Sequence, residues 1–222
     1  ALMLALATNI GVGTMVSSFR LTFSDWLDQR LASELYVTAR DDAQGEAIQQ
    51  WLEEKGLRVL PIRSRVLQQP SGQITIYGVR DDPTYHDNWP MIDVLPDAWD
   101  LLAQGQGILI SEQLARRQNI NLDETLSLPE GWPHRVLGIY SDYGNPHGQA
   151  IVSMPQLLRN APQAENQRFG VRLDPDDIPV LTNALREAFD LKNENVTDQG
   201  QVKEASKQVF DQTFLVTNSL KP

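Results

Sequence analysis

The stretch "ELYVTARDDAQGEAIQQWLEEKG", residues 34–56, changes its hydrophobic period once, and that change decides the fold class. Leu35, Val37 and Ala39 alternate with more polar residues, as on a half-buried strand. Asp41 or Asp42 then supplies a helix cap, and Ala47, Ile48, Trp51 and Leu52 fall on one helical face. Gly56 suits the C-terminal stop. The next residues, "LRVLPIRSRVLQQPSGQITIYGV" (57–79), read as two strands around a Pro70-Ser71-Gly72 turn. Residues 35–80 are therefore expected to form a β-α-β-β unit. The pattern returns late in the chain. "RFGVRLD" (168–174) reads as a strand, followed by "DPDDIPVLTNALREAFD" (174–190) as an amphipathic helix. Asp174 caps it, Pro175 starts it, and Ile178, Leu181, Leu185, Ala188 and Phe189 line one side. "ENVTDQG" (194–200) holds a last short strand. Two halves of one α+β sandwich, residues 35–80 and 165–200, are thus separated by an insertion.

The insertion, residues 81–164, has a different texture. "RDDPTYHDNWPMIDVLPDAW" (80–99) is rich in Pro, Asp and aromatics and resists regular assignment. "GQGILISEQLARRQNI" (105–120) passes from strand to helix with Ser111 as N-cap. "ETLSLP" (124–129) and "HRVLGIYSDYG" (134–144) read as strands. "GQAIVSMPQLLRNAP" (148–162) begins as a strand and ends in a helix with Pro155 in its first turn. The whole is expected to be a small β-rich body.

The chain ends are helical in pattern. "ALMLALATNIGVGTMVSSF" (1–19) carries no charge before Arg20, nearly the apolar length that spans a bilayer. Ala7 and Gly11, and Asn9, Gly13 and Ser17, stand four apart, the spacing of close helix packing in membranes. No basic n-region precedes the run, unlike a secretory leader. Leu21, Trp26, Leu27, Leu31 and Leu35 then continue one helical face, so residues 1–34 read as the end of a membrane helix running into a stalk. Residues 201–222, ending in "TFLVTNSLKP", read as a second stalk leading toward another apolar helix.

Composition removes several function classes. The net charge of −10 repels phosphates and disfavours nucleic-acid binding; Arg63 with Arg65 and Arg116 with Arg117 form only small basic clusters. With no cysteine there is no disulfide, thiolate zinc site or thiol nucleophile. His86, His134 and His147 lack metal-ligand spacing. Ser111 lacks a nucleophile elbow, and no phosphate-binding loop of the ATPase type occurs. No metal or cofactor is expected. The most enzyme-like stretch is "YSDYGNPHGQ" (140–149), where a hydrolase would use Asp142, Tyr143 and His147. Its Gly144, Asn145, Pro146 and Gly148 equally describe a turn. A ligand-binding module would instead line a pocket with Trp89, Trp99, Trp132, Tyr140 and Tyr143, against the alternative that these aromatics build the core.

Several stretches, taken in order, resemble the FtsX-like (MacB-like) permeases of bacterial ABC transporters. "LATNIGVGTMVSSFRLTFSDWLDQRLASELYV" resembles the family's first membrane helix, stalk and first strand. "GILISEQLARRQNINLDETLSLP" and "VLGIYSDYGNPHGQAIVSM" resemble internal segments, and "VFDQTFLVTNSL" the entry to the next membrane helix. The resemblance implies a non-catalytic periplasmic domain on a bacterial inner-membrane protein, with a Porter-like subdomain split by a Sabre-like insertion. It implies a separate cytoplasmic ATPase that drives the stalks, called mechanotransmission, and possible partners in a second permease copy or a periplasmic or lipoprotein component. It transfers no catalytic residue. Interaction is expected in the irregular loops near 82–99 and 140–148, with Tyr85, His86, Trp89, Trp99, Tyr140, Asp142, Tyr143, Asn145 and His147 as candidates.

Overall fold

The computed structural model describes residues 15–16, 18–25, 27, 31–129, 131–142 and 147–219. Two sheets organise them. The first has four strands in the order β10-β1-β9-β2: β1 (Leu35–Thr38), β2 (Arg58–Pro61), β9 (Arg168–Arg172) and β10 (Val196–Asp198). β9 lies antiparallel between β1 and β2, and β10 flanks β1. Helices α2 (Asp42–Glu54) and α7 (Ile178–Phe189) join the strand pairs. This is a β-α-β-β-α-β arrangement of ferredoxin-like strand order, with the insertion in place of its central hairpin. The echo between the two halves of the sequence is this sheet.

Its core lies between the strands and the two helices. Leu35, Val37, Ile48, Leu52, Val59, Phe169, Val171, Leu181 and Leu185 are buried together. Asp41 caps α2 by accepting from the Gln44 amide at 2.8 Å. Gly56, at φ +74°, ends it as expected. Ala47 and Ala188, placed inward by the sequence pattern, are exposed; Gly45 takes the buried position on α2. The reason is contact distance. A Cβ on Gly45 would come within 1.8 Å of the Asn166 carbonyl oxygen, so the helix approaches the chain before β9 more closely than any side chain permits.

The second sheet has six strands in the order β3-β4-β8-β6-β7-β5. They are β3 (Arg63–Gln69), β4 (Gly72–Val79), β5 (Met91–Val94), β6 (Ile108–Ser111), β7 (Val136–Tyr140) and β8 (Gly148–Ser153). The turn at residues 70–72 joins β3 and β4 as expected, yet both strands belong to this sheet. The sheets part at Ile62, not at the expected boundary after residue 80. The stretch before the turn, residues 57–69, reads as one strand, and only hydrogen-bond partners reveal that β2 pairs with β9 while β3 pairs with β4 in the other sheet.

Both faces of the second sheet are covered, so β6 and β8 are buried along their whole length. One face packs Ile74, Ile76, Ile108, Ile110, Ala150 and Val152 under α5 (Glu112–Gln118) and α6 (Met154–Asn160). The other packs Val79, Leu109, Leu137, Tyr140 and Ile151 under α3 (Pro83–Asn88) and α4 (Ala98–Ala103). The insertion is thus as helical as it is stranded. Ser111 caps α5, accepting from the Leu114 amide at 3.4 Å. Residues 124–129 form no strand; Thr125 makes a single bridge to Arg135.

At the ends, residues 15–16, 18–25 and 27 are helical (α1) and α8 spans Gln199–Ser219. The expected helical face through Leu31 and Leu35 stops short: residues 31–34 are irregular and Leu35 begins β1. α1 and α8 lie side by side. Phe210 stacks on Phe19 and Phe23 at 5.5 and 5.2 Å, and Arg20 pairs with Asp211. The expected membrane helix over residues 1–19 falls largely outside the described residues. Among the described residues no helix is long and apolar enough to cross a membrane.

Gly45→Ala tests the closest contact. In an open helix this change stabilises by about 0.5–1 kcal/mol. Here the sign reverses, because the helix must move off Asn166; the loss expected is about 1–3 kcal/mol, read from the urea unfolding midpoint.

Candidate functional site

The sheets meet at a cleft of about 360 Å³. Its floor is the face of the first sheet turned away from α2 and α7. Tyr36, Leu60 and Gly170 are cross-strand neighbours there. Tyr36 stands between Leu35 and Val37, whose side chains enter the core, so strand alternation turns it toward the cleft. Its roof is Tyr77, Val79, Tyr140 and Ile151 from the second sheet. The segment leading from α1 to β1, with Leu27, Leu31, Ala32 and Ser33, closes one side. Ser33 fits because residue 170 is glycine: a Cβ there would sit 2.4 Å from the Ser33 hydroxyl.

Helix α3 forms the remaining wall. Pro83 starts it and Asp82 caps it, accepting from the Thr84 amide at 2.8 Å. Tyr85 and Trp89, one turn apart, face inward with rings edge-on at 5.7 Å, and Trp89 meets Tyr140 edge-on at 5.6 Å. Each such pair adds about 0.5–1.5 kcal/mol beyond burial. His86 points the other way. It stacks on Trp99 at 4.9 Å, bonds Asp81 at 2.8 Å, and lines a second cleft beside Met154 and Leu158.

A polar chain ties α3 to the first sheet. Arg172 on β9 bonds Glu34 at 2.8 Å and the Thr84 hydroxyl at 2.6 Å. Arg58 lies 3.8 Å from Asp82. Burial pushes the Asp82 carboxyl up, but the Thr84 hydroxyl and amide, Arg58 and Arg172 outweigh it and hold the group below the usual carboxylate range. Burial raises the Tyr85 phenol, with Tyr36 and Asp82 adding to the effect.

Of the residues singled out by sequence, the structure joins Tyr85, Trp89 and Tyr140 in the inter-sheet cleft and His86 with Trp99 in the other. Tyr140, expected in an exposed loop, is wholly buried because it ends β7 beneath α3. The region 82–99, expected to be irregular, is largely α3, β5 and the start of α4. Asp142 is buried and His147 exposed, while Tyr143 and Asn145 lie outside the described residues. Trp132 packs on the opposite side of the second sheet. Sequence reasoning missed Tyr36, Tyr77 and Arg168. Tyr36 and Tyr77 carried a signal, as aromatics at alternate strand positions. Among the described residues no group of three or more His, Asp or Glu side chains could hold a metal ion.

A family model described as the MacB-like periplasmic core domain matches residues 1–188. An uncharacterized ABC transporter permease protein of Mycobacterium tuberculosis is 26% identical over 246 residues, covering all of this chain. The chain spans only 28% of that relative's length. The periplasmic region of MacB from Actinobacillus actinomycetemcomitans superposes with a TM-score of 0.51 at 13% identity, covering 79% of this chain and 92% of that one. That similarity is one of fold. The extracellular domain of the noncanonic ABC-type transporter YknZ from Gram-positive bacteria overlaps at a TM-score of 0.48 and 13% identity, covering 75% of this chain and 98% of that one.

Asp82→Ala isolates the anchoring of α3. Loss of the cap and its charge partners is expected to cost about 1–2 kcal/mol at neutral pH. A carboxylate held low stabilises fully above its unfolded value, near 4, and loses the effect as pH falls through its lower folded value. The gap between wild type and D82A should therefore close in acid, as followed by urea unfolding at a series of pH values.

Proposed function

The chain belongs to the family of MacB-like periplasmic core domains, and from that premise we propose that it is the extracytoplasmic domain of an FtsX-like ABC transporter permease. On this reading it is non-catalytic. It binds a partner or substrate outside the membrane and is coupled to a cytoplasmic ATPase by mechanotransmission through its two end helices. The four-stranded sheet would be the Porter-like subdomain and the six-stranded sheet the Sabre-like one, exchanged at Ile62 and again before β9. The flanking helices would enter a bacterial inner membrane with the folded body on its periplasmic side.

The observation that carries this reading is the pairing of α1 with α8 at adjoining strands. α1 leads into β1 and α8 leaves β10, and these strands are neighbours. The Gln199 amide donates to the Glu34 carbonyl at 2.9 Å, and the Gln199 side chain bonds the Leu31 carbonyl, so both helices are pinned at one point. Glu34 also holds Arg172, which holds Thr84 on α3. A displacement of the helix pair therefore reaches both sheets through direct contacts, and a coupling of about 1–3 kcal/mol is enough to bias two states. Met15, Leu21 and Val209 remain exposed on the pair, an apolar surface suited to a second permease copy. A periplasmic protein or lipoprotein would dock on the insertion.

Location and coupling are separable experimentally. This chain has no cysteine, and Val180 is 71% exposed. In cells producing the full-length permease, Val180→Cys should react with a membrane-impermeant maleimide before lysis; reaction only after lysis would refute the extracytoplasmic placement. Phe210→Asp removes both ring stacks between α1 and α8. Export by the full-length permease with its ATPase should fall about tenfold or more while ATP hydrolysis persists, the signature of lost coupling rather than lost assembly.

A further inference from the structure

We propose that the inter-sheet cleft binds a small amphipathic anion, an aromatic or apolar body carrying a carboxylate. The cleft has the size of a small-molecule site, about 360 Å³ against a usual range of roughly 300–1,000 Å³. Its walls are mainly aromatic and aliphatic, with Tyr36, Tyr77, Tyr85, Trp89 and Tyr140 supplying flat surfaces from four separate elements. An apolar body is recognised there by area and shape.

The charge at the site fixes the sign of the head group. The protein carries a net charge of −10, yet among the described residues no Asp or Glu lines this cleft. Among the described residues the one charged side chain lining it is Arg168. Arg168 opens β9, two residues from Gly170, so both fall on the floor side of the sheet while Phe169 enters the core. Arg63, Arg80, Arg135 and Arg172 each bond an acid or a carbonyl. Arg168 has no ion pair or side-chain hydrogen bond among the described residues. A guanidinium in that position offers a planar fork of donors, the group that best matches a carboxylate.

Tyr85 supplies the second polar element. It is half-buried on the cleft wall, and its hydroxyl makes no hydrogen bond among the described residues and is open to solvent. A phenol so placed is free to donate to whatever occupies the cleft. Nearby Tyr36 is already engaged, accepting from the Ser33 amide at 3.3 Å. An acceptor on a bound molecule satisfies Tyr85, and a carboxylate has lone pairs for a phenol as well as a guanidinium. A neutral apolar molecule would engage neither donor; a cation would face Arg168 with no acid among the described lining residues to hold it.

The test uses a matched pair of probes, 2-naphthoate and uncharged 2-naphthamide, titrated calorimetrically into the 222-residue chain. Naphthoate is expected to bind about tenfold or more tightly than the amide and to quench Trp89 emission. Arg168→Gln should abolish that preference without altering the circular dichroism, because the side chain is exposed and makes no internal bond. Arg168→Lys should restore part of it, and Tyr85→Phe should weaken naphthoate several-fold. Equal affinity for the two probes, absence of heat with either at millimolar concentration, or an undiminished preference in Arg168→Gln would overturn the proposal. None of these outcomes bears on whether the domain is extracytoplasmic, which the maleimide experiment decides separately.

Discussion

β9 is bonded on both sides, and the molecule is organised by that fact. Residues 168–171 pair with β1 along one edge and residues 169–172 with β2 along the other. Without β9, β1 and β2 have no strand between them, and the face that buries Phe169 and Val171 does not exist. The chain must therefore leave this sheet at Ile62, build a second body, and return in register. Such a contact carries a large loop-closure cost, although that cost grows only logarithmically with loop length. The insertion moderates it by folding on its own core, with β3 and β4 a local hairpin and β6, β7 and β8 tightly paired.

From this constraint the junction follows. Because β9 returns beside β2, Arg172 at its end lies within reach of both Glu34, just before β1, and Thr84, just after β4. The guanidinium closes a route from the first strand to the insertion that no backbone hydrogen bond supplies. Side chains of Glu34 and Arg172 are only 16% and 24% exposed, so the pair is shielded and hard to replace singly. Removing one partner would leave a desolvated charge, which costs more than the pair itself contributes. The junction is thus held by a few polar contacts between two separately packed cores.

Much of the first sheet was legible because its strands and helices keep one period each. Leu35-Tyr36-Val37 and Ile178 through Phe189 name their buried faces directly. Sheet membership was not legible. Residues 57–69 present uninterrupted strand character, and the transfer at Ile62 depends on which strand each half meets. The aromatic residues of 80–99 were legible as a group, but their placement was not. Pro83 and Asp82 are helix-start signals hidden among turn formers, so α3 reads as loop. Tyr140 stood where the strand reading of residues 134–144 overlaps the interaction loop expected at 140–148; its burial under α3 is a tertiary effect. Arg168 gave no signal at all, since an arginine at a strand start is ordinary until the described lining of the cleft beside it is known to hold no acid.

The position of the cleft joins the two proposals physically. Its side wall includes Leu27 at the end of α1 and Leu31, Ala32 and Ser33 just before β1. Its floor and roof belong to the two sheets that Arg172 and Thr84 hold together. A molecule there would touch every part whose relative placement changes if the helix pair moves. Contacts that differ between two arrangements are the sole means by which an occupant shifts their balance. Binding energy spent equally on both would shift nothing, so the relevant contacts are those to Leu31 and Ser33 rather than to the fixed floor. By reciprocity, if an occupant shifts α1 against the sheet, whatever tilts α1 alters the cleft's affinity by the same factor. Screening weakens the protein's surface charges beyond about 8 Å at physiological salt, and at the cleft the exposed guanidinium of Arg168 is the charge, among the described lining residues, that an incoming carboxylate meets.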